Sequence, residues 1–489
     1  MNIIGIREFA VRAIYGILAV VAVQALIATP LLSWRLAVGG PVWLEWLVGG
    51  VFAALLLGLL FVFRQQVDAV LRQVGGFALQ PSLTTWLGLT LVVGIALRLL
   101  WVWWYPAAPA SDGATYLALA ARLSAGEPYE MAGTRAYWPP GYPLLLAPLV
   151  GLFGAGREMI VGLNLTLFAA TLFVVYGLGR ALGGEATGRI ASAIIAVWPT
   201  YIAQVGLPEK EQPIILIVAV VVLLLFAFHQ QRTWRALLAG VFLGFGGLVQ
   251  PGLLLLPLAF LFTDLLNRLP WRVVFMRLGL IGVGMLLVIS PWTIRNYQVF
   301  DQFVLISTNG GGVLYRANNP LATGGYTRAG EVDLSPYGEL EANARGAGLA
   351  KRWIQENPMD FLKLAIEKQI LFLGDDSTGV YAALRRGGLD VGEFVYALWK
   401  GFANLYWIIL WVLILRLAWR YSTGHPPSSI LILPLILCFL YLYGVHSIAE
   451  SGGKYHLPVL GLLAIIAAAA LTPSAGRGDR PDRGAAERS

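Results

Sequence analysis

The chain has 489 residues, of which 58% are hydrophobic and only 13% charged, and its mean hydropathy is +0.71. Soluble proteins carry charge on about a quarter of their residues. A soluble globular fold is therefore excluded, because a core this large would have no polar surface to cover it. The formal net charge of +8 sits with arginines in short segments beside apolar runs, the pattern of membrane topology rather than of nucleic-acid binding.

Apolar runs of the roughly 20 residues that cross a bilayer are predicted near 11–32, 43–63, 84–105, 159–179, 188–206, 213–229, 235–249, 252–266, 275–294, 400–417, 428–447 and 455–472. No run shows the strict two-residue alternation of a transmembrane barrel. The expected fold is an all-α polytopic membrane protein of about 12 transmembrane helices. The first run reads as a retained span, since no small-residue cleavage site follows a short apolar core. With a cytoplasmic N-terminus, Arg64, Arg72, Arg180, Arg189, Arg232, Arg235, Arg268, Arg272, Arg277, Arg416 and Arg420 share one side with the arginines of the tail. The positive-inside rule makes that side, and both termini, cytoplasmic. The count requires that 141–154 not cross. That segment is short and opens after Pro139 and Pro140, so an interfacial or re-entrant helix is expected. Segment 357–374, with acid and lysine on one face, is expected to lie in the interface as well.

The opposite side then holds a loop at 106–158, a large loop at 295–399 and short turns at 206–212, 250–251 and 448–454. The expected organisation is an appended two-span unit (1–83), a transmembrane core (84–294) and the large extracytoplasmic loop (295–399). Three C-terminal spans (400–472) and a disordered cytoplasmic tail (473–489) rich in Gly, Pro and Arg complete it. The single cysteine, Cys438, excludes an internal disulfide and a cysteine metal site. The four histidines form no ligand motif: His229 and His425 fall on the cytoplasmic side, leaving His446 and His456 near the acids.

In a chain so poor in acids, those on the extracytoplasmic side stand out. Asp112, in "SDGATYLALA", opens a helix after a long apolar run, with Tyr116 at i+4. An acid there can cap the helix or take a proton from an acceptor hydroxyl as general base. "GLPEKEQPI" sets Glu209 and Glu211 in a turn between two spans. They are a solvated pair, substrate partners, or two oxygen ligands for Mg²⁺ or Mn²⁺, although nothing in the spacing requires a metal. "ESGGKYHLPVL" brackets two glycines with Glu450 and Lys454 before Tyr455 and His456. These residues would anchor the final span at the interface, and the lysine could grip a phosphate at headgroup depth. "PWTIRNY", with Arg295, leads into "STNGGGVLYRANNP", where Asn309 and Asn318 flank a Gly-rich turn without the lysine of a Walker loop.

Taken in order, "SDGATYLALA", "YWPPGYPLLLAPLVGLFG", "PWTIRNY…STNGG…YRANNP" and "ESGGKYHLPVL" resemble the bacterial relatives of protein O-mannosyltransferases and of the lipid A aminoarabinose transferase. These are membrane glycosyltransferases of the GT-C fold. The resemblance spans roughly residues 84–472. It implies a GT-C-type bundle in a bacterial plasma (inner) membrane that passes a sugar from a polyprenyl-phosphate sugar to a glycan, lipid or protein acceptor, with membrane lipid as its solvent. It also implies that Asp112 is the general base and that Glu209 or Glu211 is a second acid. Lys454, Arg295 and Arg135 would meet the donor phosphate. Tyr116, Tyr142, Asn309, Asn318, Glu450, Tyr455 and His456 would line the substrate site. The sequence departs from these relatives at Gln250–Pro251, where they carry Arg-Pro, and at His456, where they carry a permanent cation. The alternatives are a transporter or flippase of a lipid-linked or polar solute, disfavoured by the lack of an inverted repeat, and a ligase or polymerase of lipid-linked glycans.

Overall fold

The computed structural model describes residues 3–228, 232–327, 330, 332–422 and 432–472. His229, His425, the start of the predicted span at 428 and the tail lie outside the described residues. In chain order the helices are α1 (Ile3–Ala37), α2 (Val42–Val62), α3 (Arg64–Leu79), α4 (Leu83–Trp104), α5 (Ser111–Ser124), α6 (Gly141–Phe153) and α7 (Arg157–Gly183). Next come α8 (Glu185–Ala196), α9 (Pro199–Ala203), α10 (Glu211–Phe226), α11 (Thr233–Val249), α12 (Pro257–Leu266) and α13 (Trp271–Phe300). The large loop carries α14 (Gly310–Ala317), α15 (Glu339–Glu356), α16 (Pro358–Leu373) and α17 (Thr378–Tyr381), and α18 (Glu393–Ser422), α19 (Leu433–Ile448) and α20 (Leu460–Leu471) close the chain. Among the described residues the one β feature is an isolated bridge between Met131 and Thr134. Among the described residues, seven helices are long and apolar enough to cross a membrane, and α6, α10, α11, α12 and α19 are shorter apolar helices.

Position in the bundle follows the apolar pattern. Every residue of α20 is buried, as expected for a helix apolar on all sides, and it packs against α7, α8, α18 and α19. α11 and α13 pack at Gly240 and Gly284, where a side chain on either would strike the partner backbone; small residues permit such close approach between membrane helices. α1 runs along α18 and α16, and its Arg35 binds both Glu45 of α2 and Glu367 of α16, at 2.7 and 2.9 Å.

Three expectations are corrected. The predicted span 188–206 is broken: α8 ends at Ala196 and α9 begins at Pro199, because proline has no N–H for the helical ladder. The buried Arg98 of α4 donates to the Ala196 carbonyl at 2.9 Å, giving a partner to one of the groups the break exposes. The predicted span at 252–266 becomes a 3₁₀ turn (Pro251–Leu253) followed by α12. The helix at 357–374 forms as α16, but its Lys368 does not point to the interface. It is fully buried and donates to Asn318 Oδ1 and the Ile448 carbonyl at 2.7 and 2.8 Å, while Asp360 and Lys363 pair on the exposed side at 2.9 Å. α6 has 13 residues and spans about 20 Å, too short to cross alone, as expected.

Candidate active site

The site forms where α5, the turn before α10 and the segment before α20 meet. At the start of α5, Ser111 has φ +52°, a left-handed conformation costly for a residue with a Cβ. Asp112 does not cap its helix. The N-cap is Ala110, which makes no side-chain cap bond. The Asp112 carboxylate instead faces Lys454 Nζ at 3.7 Å, and both side chains are 32% exposed. Gly113 lets α5 lie against the 206–210 turn, since a Cβ there would meet the Pro208 carbonyl oxygen at 3.1 Å.

That turn is fixed from behind. Asn164 of α7 donates to the Val205 and Leu207 carbonyls, both at 2.9 Å. Glu209 then reaches Arg386, in the π-turn Ala382–Arg386, at 2.8 Å. Glu211, at the first turn of α10, is buried with Oε2 lacking a hydrogen-bond partner. Desolvation and the Glu211 charge push the Glu209 carboxyl up to about 7, against the pull of Arg386 and Lys454. Glu209 thus holds its proton more tightly than an ordinary carboxyl, and such perturbed carboxyls cluster at functional sites.

The segment between α19 and α20 is held at several points. His446 Nδ1 bonds the Glu450 carbonyl at 2.7 Å, and Ser451 Oγ donates to the Lys368 carbonyl at 2.6 Å. The Glu450 carboxylate accepts from Tyr455 OH at 2.7 Å and from Arg316 Nη2 at 3.2 Å. Arg316 also reaches Tyr137 OH at 3.5 Å and lies 5.1 Å over the Tyr326 ring, and its Nε has no partner. An aromatic wall backs the acids: Tyr116 meets Trp138 and Tyr142 edge-on, with ring centroids 5.8 and 5.7 Å apart. Burial, with the charges of Asp112, Glu211 and Glu209, pushes the Tyr116 phenol well up, so it stays neutral. The buried Tyr142 OH has no hydrogen-bond partner.

The structure thus gathers Asp112, Tyr116, Tyr142, Glu209, Glu211, Glu450, Lys454 and Tyr455 at one end of the bundle. The other sequence candidates sit elsewhere. Arg295 donates to the carbonyls of Arg135 and Tyr129 at 2.7 and 3.1 Å, which ties the first loop down, and the Arg135 guanidinium lies 5.3 Å over Phe300. Asn318 is buried and donates to Leu314 and Ile448 carbonyls, both at 2.9 Å. Asn309 accepts from Ser307 at 3.0 Å. His456 is fully enclosed, bonded to the Phe372 carbonyl at 2.7 Å and to Asp376 at 2.9 Å, and stacked on Trp407. Sequence reasoning missed Arg316 and Arg386. Arg316 lay inside "YRANNP", yet its spacing gave no hint that Glu450 would be its partner. Among the described residues no group of three or more His, Cys, Asp or Glu side chains is placed to hold a metal ion.

Residues 138–294 match the family model of dolichyl-phosphate-mannose-protein mannosyltransferases. The match covers about a third of the chain. The matched segment includes Tyr142, Glu209 and Glu211, whereas Asp112, Arg316, Arg386 and Lys454 lie outside it. No curated protein sequence matches the chain. Among solved structures, the Archaeoglobus fulgidus oligosaccharyltransferase tethered to an acceptor peptide with the NVT sequon is similar at 14% identity and TM-score 0.48, over 79% of this chain and 49% of that one. The same organism's AglB with an inhibitory peptide and a dolichol-phosphate gives 13% identity and TM-score 0.46, over 79% and 49%. ArnT from Cupriavidus metallidurans bound to undecaprenyl phosphate gives 12% identity and TM-score 0.42, over 80% and 77%. The chain spans about half the length of the oligosaccharyltransferase.

Proposed function

We propose that this protein transfers a sugar from a polyprenyl-phosphate sugar to an acceptor hydroxyl or amine at the membrane face that carries Asp112 and Lys454. The observation that carries the proposal is their approach, 3.7 Å apart on two different elements and both within reach of solvent. An in-line displacement sets the base and the leaving phosphate on opposite faces of the anomeric carbon, so in this reading the Asp112–Lys454 pair opens as the sugar phosphate enters between the two groups. Asp112 takes the acceptor proton. The acceptor oxygen or nitrogen forms its bond to the anomeric carbon as the bond from that carbon to the phosphate oxygen breaks, and the electron pair leaves with the polyprenyl phosphate. Lys454 and Arg316 stabilise the charge that develops there, and Arg316 adds the planar donor geometry suited to phosphate. A phosphate leaving group needs no acid to protonate it. Single displacement inverts the anomeric centre.

In this reading Glu209 and Glu211 hydrogen-bond sugar hydroxyls, with Arg386 fixing the first of them, and the same two carboxylates would hold a divalent cation. The acceptor is a glycan, lipid or protein. The membrane is the bacterial plasma membrane, with the site outside and both termini in the cytoplasm. The test is to incubate purified protein with radiolabelled polyprenyl-phosphate sugars and solubilised membrane extract as acceptor source. Release of polyprenyl phosphate matched by label in an acceptor fraction supports the proposal; donors that bind but never turn over overturn it.

A further inference from the structure

The backbone that leads into Tyr137 and Trp138 is held by two charges of opposite sign. The first loop turns back on itself at Met131–Thr134, where Ala132 and Gly133 have φ of +50° and +78°, and its return leg runs through Arg135 and Ala136. Arg295 Nη1 donates to the Arg135 carbonyl at 2.7 Å. Glu339, in the first turn of α15, takes the other side. Its Oε2 accepts from the Arg135 N–H and its Oε1 from the Ala136 N–H, both at 2.8 Å. The Ala136 carbonyl accepts from the Thr308 N–H at 2.9 Å, and the buried Thr308 hydroxyl donates to Glu339 Oε1. An N–H bonded to a carboxylate is held about twice as strongly as one bonded to a neutral acceptor.

The same face of α15 holds a second part of the site. Asn343 follows Glu339 by one turn and shares its face, and its Oδ1 accepts from the Gly311 N–H at 2.6 Å. α14 and α15 lie backbone to backbone there, since a Cβ on Gly346 would stand 2.8 Å from the Gly311 carbonyl oxygen. α14 carries Arg316 in its last turn. The two anchored segments meet where Arg316 Nη1 lies 3.5 Å from the Tyr137 hydroxyl, and Trp138 continues the wall to Tyr116, edge-on at 5.8 Å. Among the described residues the hydrogen bonds of Glu339 go to the return leg and to Thr308. Its influence on the site therefore passes through Tyr137 and Trp138.

We propose that Glu339 is a positioning residue for donor binding, an inference that rests on the reading in which Arg316 meets the donor phosphate. Glu339 and Asn343 together set the separation of the return leg and α14, and so the gap between Tyr137 and Arg316 that the sugar phosphate fills. Glutamine at 339 replaces one carboxylate oxygen with an NH₂ group, which cannot accept from an N–H. One amide of the return leg then loses its partner, and the gap is no longer fixed.

The experiment uses the full chain in nanodiscs. Hydrogen–deuterium exchange follows the peptide that contains Arg135 and Ala136. Donor KM and kcat are measured with polyprenyl-phosphate sugar for the wild type, Glu339→Gln, Arg316→Gln and the double variant. Loss of one charge-assisted bond should speed exchange at these amides about tenfold. Donor KM should rise about 5- to 10-fold in Glu339→Gln, with kcat changed less than KM. In the Arg316→Gln background the same change should add about twofold or less, because the group being positioned is gone, whereas a loss of general stability would multiply. If Glu339→Gln does not fold, Thr308→Val removes only a donor to the same carboxylate and should raise donor KM about threefold. Unchanged exchange at Arg135 and Ala136, unchanged donor KM in the folded variant, or losses that multiply with Arg316→Gln would overturn the role of Glu339. A wild type that binds no donor would instead overturn the functional reading on which that role rests.

Discussion

Replacing Lys454 with glutamine removes the cation that faces Asp112. At their 3.7 Å separation, two unit charges in an effective dielectric of about 20 interact by roughly 4–5 kcal/mol. Both side chains are about one-third exposed, and water and salt reduce such a pair to about 1 kcal/mol. A leaving phosphate at the same distance gains a similar amount in the transition state. The expected loss in kcat/KM is therefore about fivefold. Lys454→Arg should keep most of the activity, since the charge remains and a guanidinium binds phosphate well. The assay is release of labelled polyprenyl phosphate from purified protein in nanodiscs, with kcat and KM measured separately. A fall in kcat would locate the stabilisation in the transition state, and a rise in KM alone would locate it in donor binding. Unchanged kinetics in Lys454→Gln, or an equal loss in Lys454→Arg, would refute the electrostatic reasoning.

Other predictions follow from the same geometry. Glu209 is pushed up to about 7, so as pH rises through neutrality it gains charge in the pocket that receives the anionic donor. The KM for donor should rise by about three- to tenfold between pH 6 and 8, and Glu209→Gln should flatten that rise. The sign for stability is the same: the folded protein holds the Glu209 proton above the ordinary carboxylate range, so this group lowers stability as pH climbs from about 4.5 to about 7. At Gly113, alanine should change the melting temperature little, because better helix propensity offsets the contact with the Pro208 carbonyl. Valine should lower kcat and cost about 1–3 kcal/mol of stability by thrusting α5 away from the 206–210 turn; thermal melting and turnover check both. His456→Ala should cost about 3–5 kcal/mol of stability, by leaving a cavity against Trp407 and removing one of the two side-chain partners of the buried Asp376, Trp198 keeping the other, while leaving the donor KM of the folded fraction unchanged. An altered KM at full stability would instead make His456 a substrate residue.

Much of the architecture was legible because hydropathy answers directly to the bilayer: the long spans α1, α2, α4, α7, α13 and α18 lie where apolar runs lie. The break at Val197–Trp198 was less so. Pro199 signals it, but the 188–206 stretch stays apolar across the break and the partner that makes the break tolerable, Arg98, is 98 residues away. Within the site, Asp112, Glu209, Glu211, Glu450 and Lys454 could be found because acids and lysines are rare in this chain and these all fall on one face. What sequence could not supply was partnership. Arg316 and Arg386 look like any loop arginines until folding brings them to Glu450, 134 residues on, and Glu209, 177 residues back. Arg295 and His456 were drawn in by motif position, and their neighbours, the Tyr129 and Arg135 carbonyls and Asp376, give them other work. Lys368 was misplaced for a related reason: helical periodicity says which face a side chain takes but not that Asn318 will be there to receive it.

The most direct measurement is sugar transfer by Asp112→Asn beside wild type, with donor binding followed in the same preparation. Asparagine keeps the shape and loses the base. The account predicts that the variant folds, binds polyprenyl-phosphate sugar with an affinity close to wild type and transfers sugar at least 100-fold more slowly, the scale of a general base. Transfer at the wild-type rate by a folded Asp112→Asn protein would contradict it.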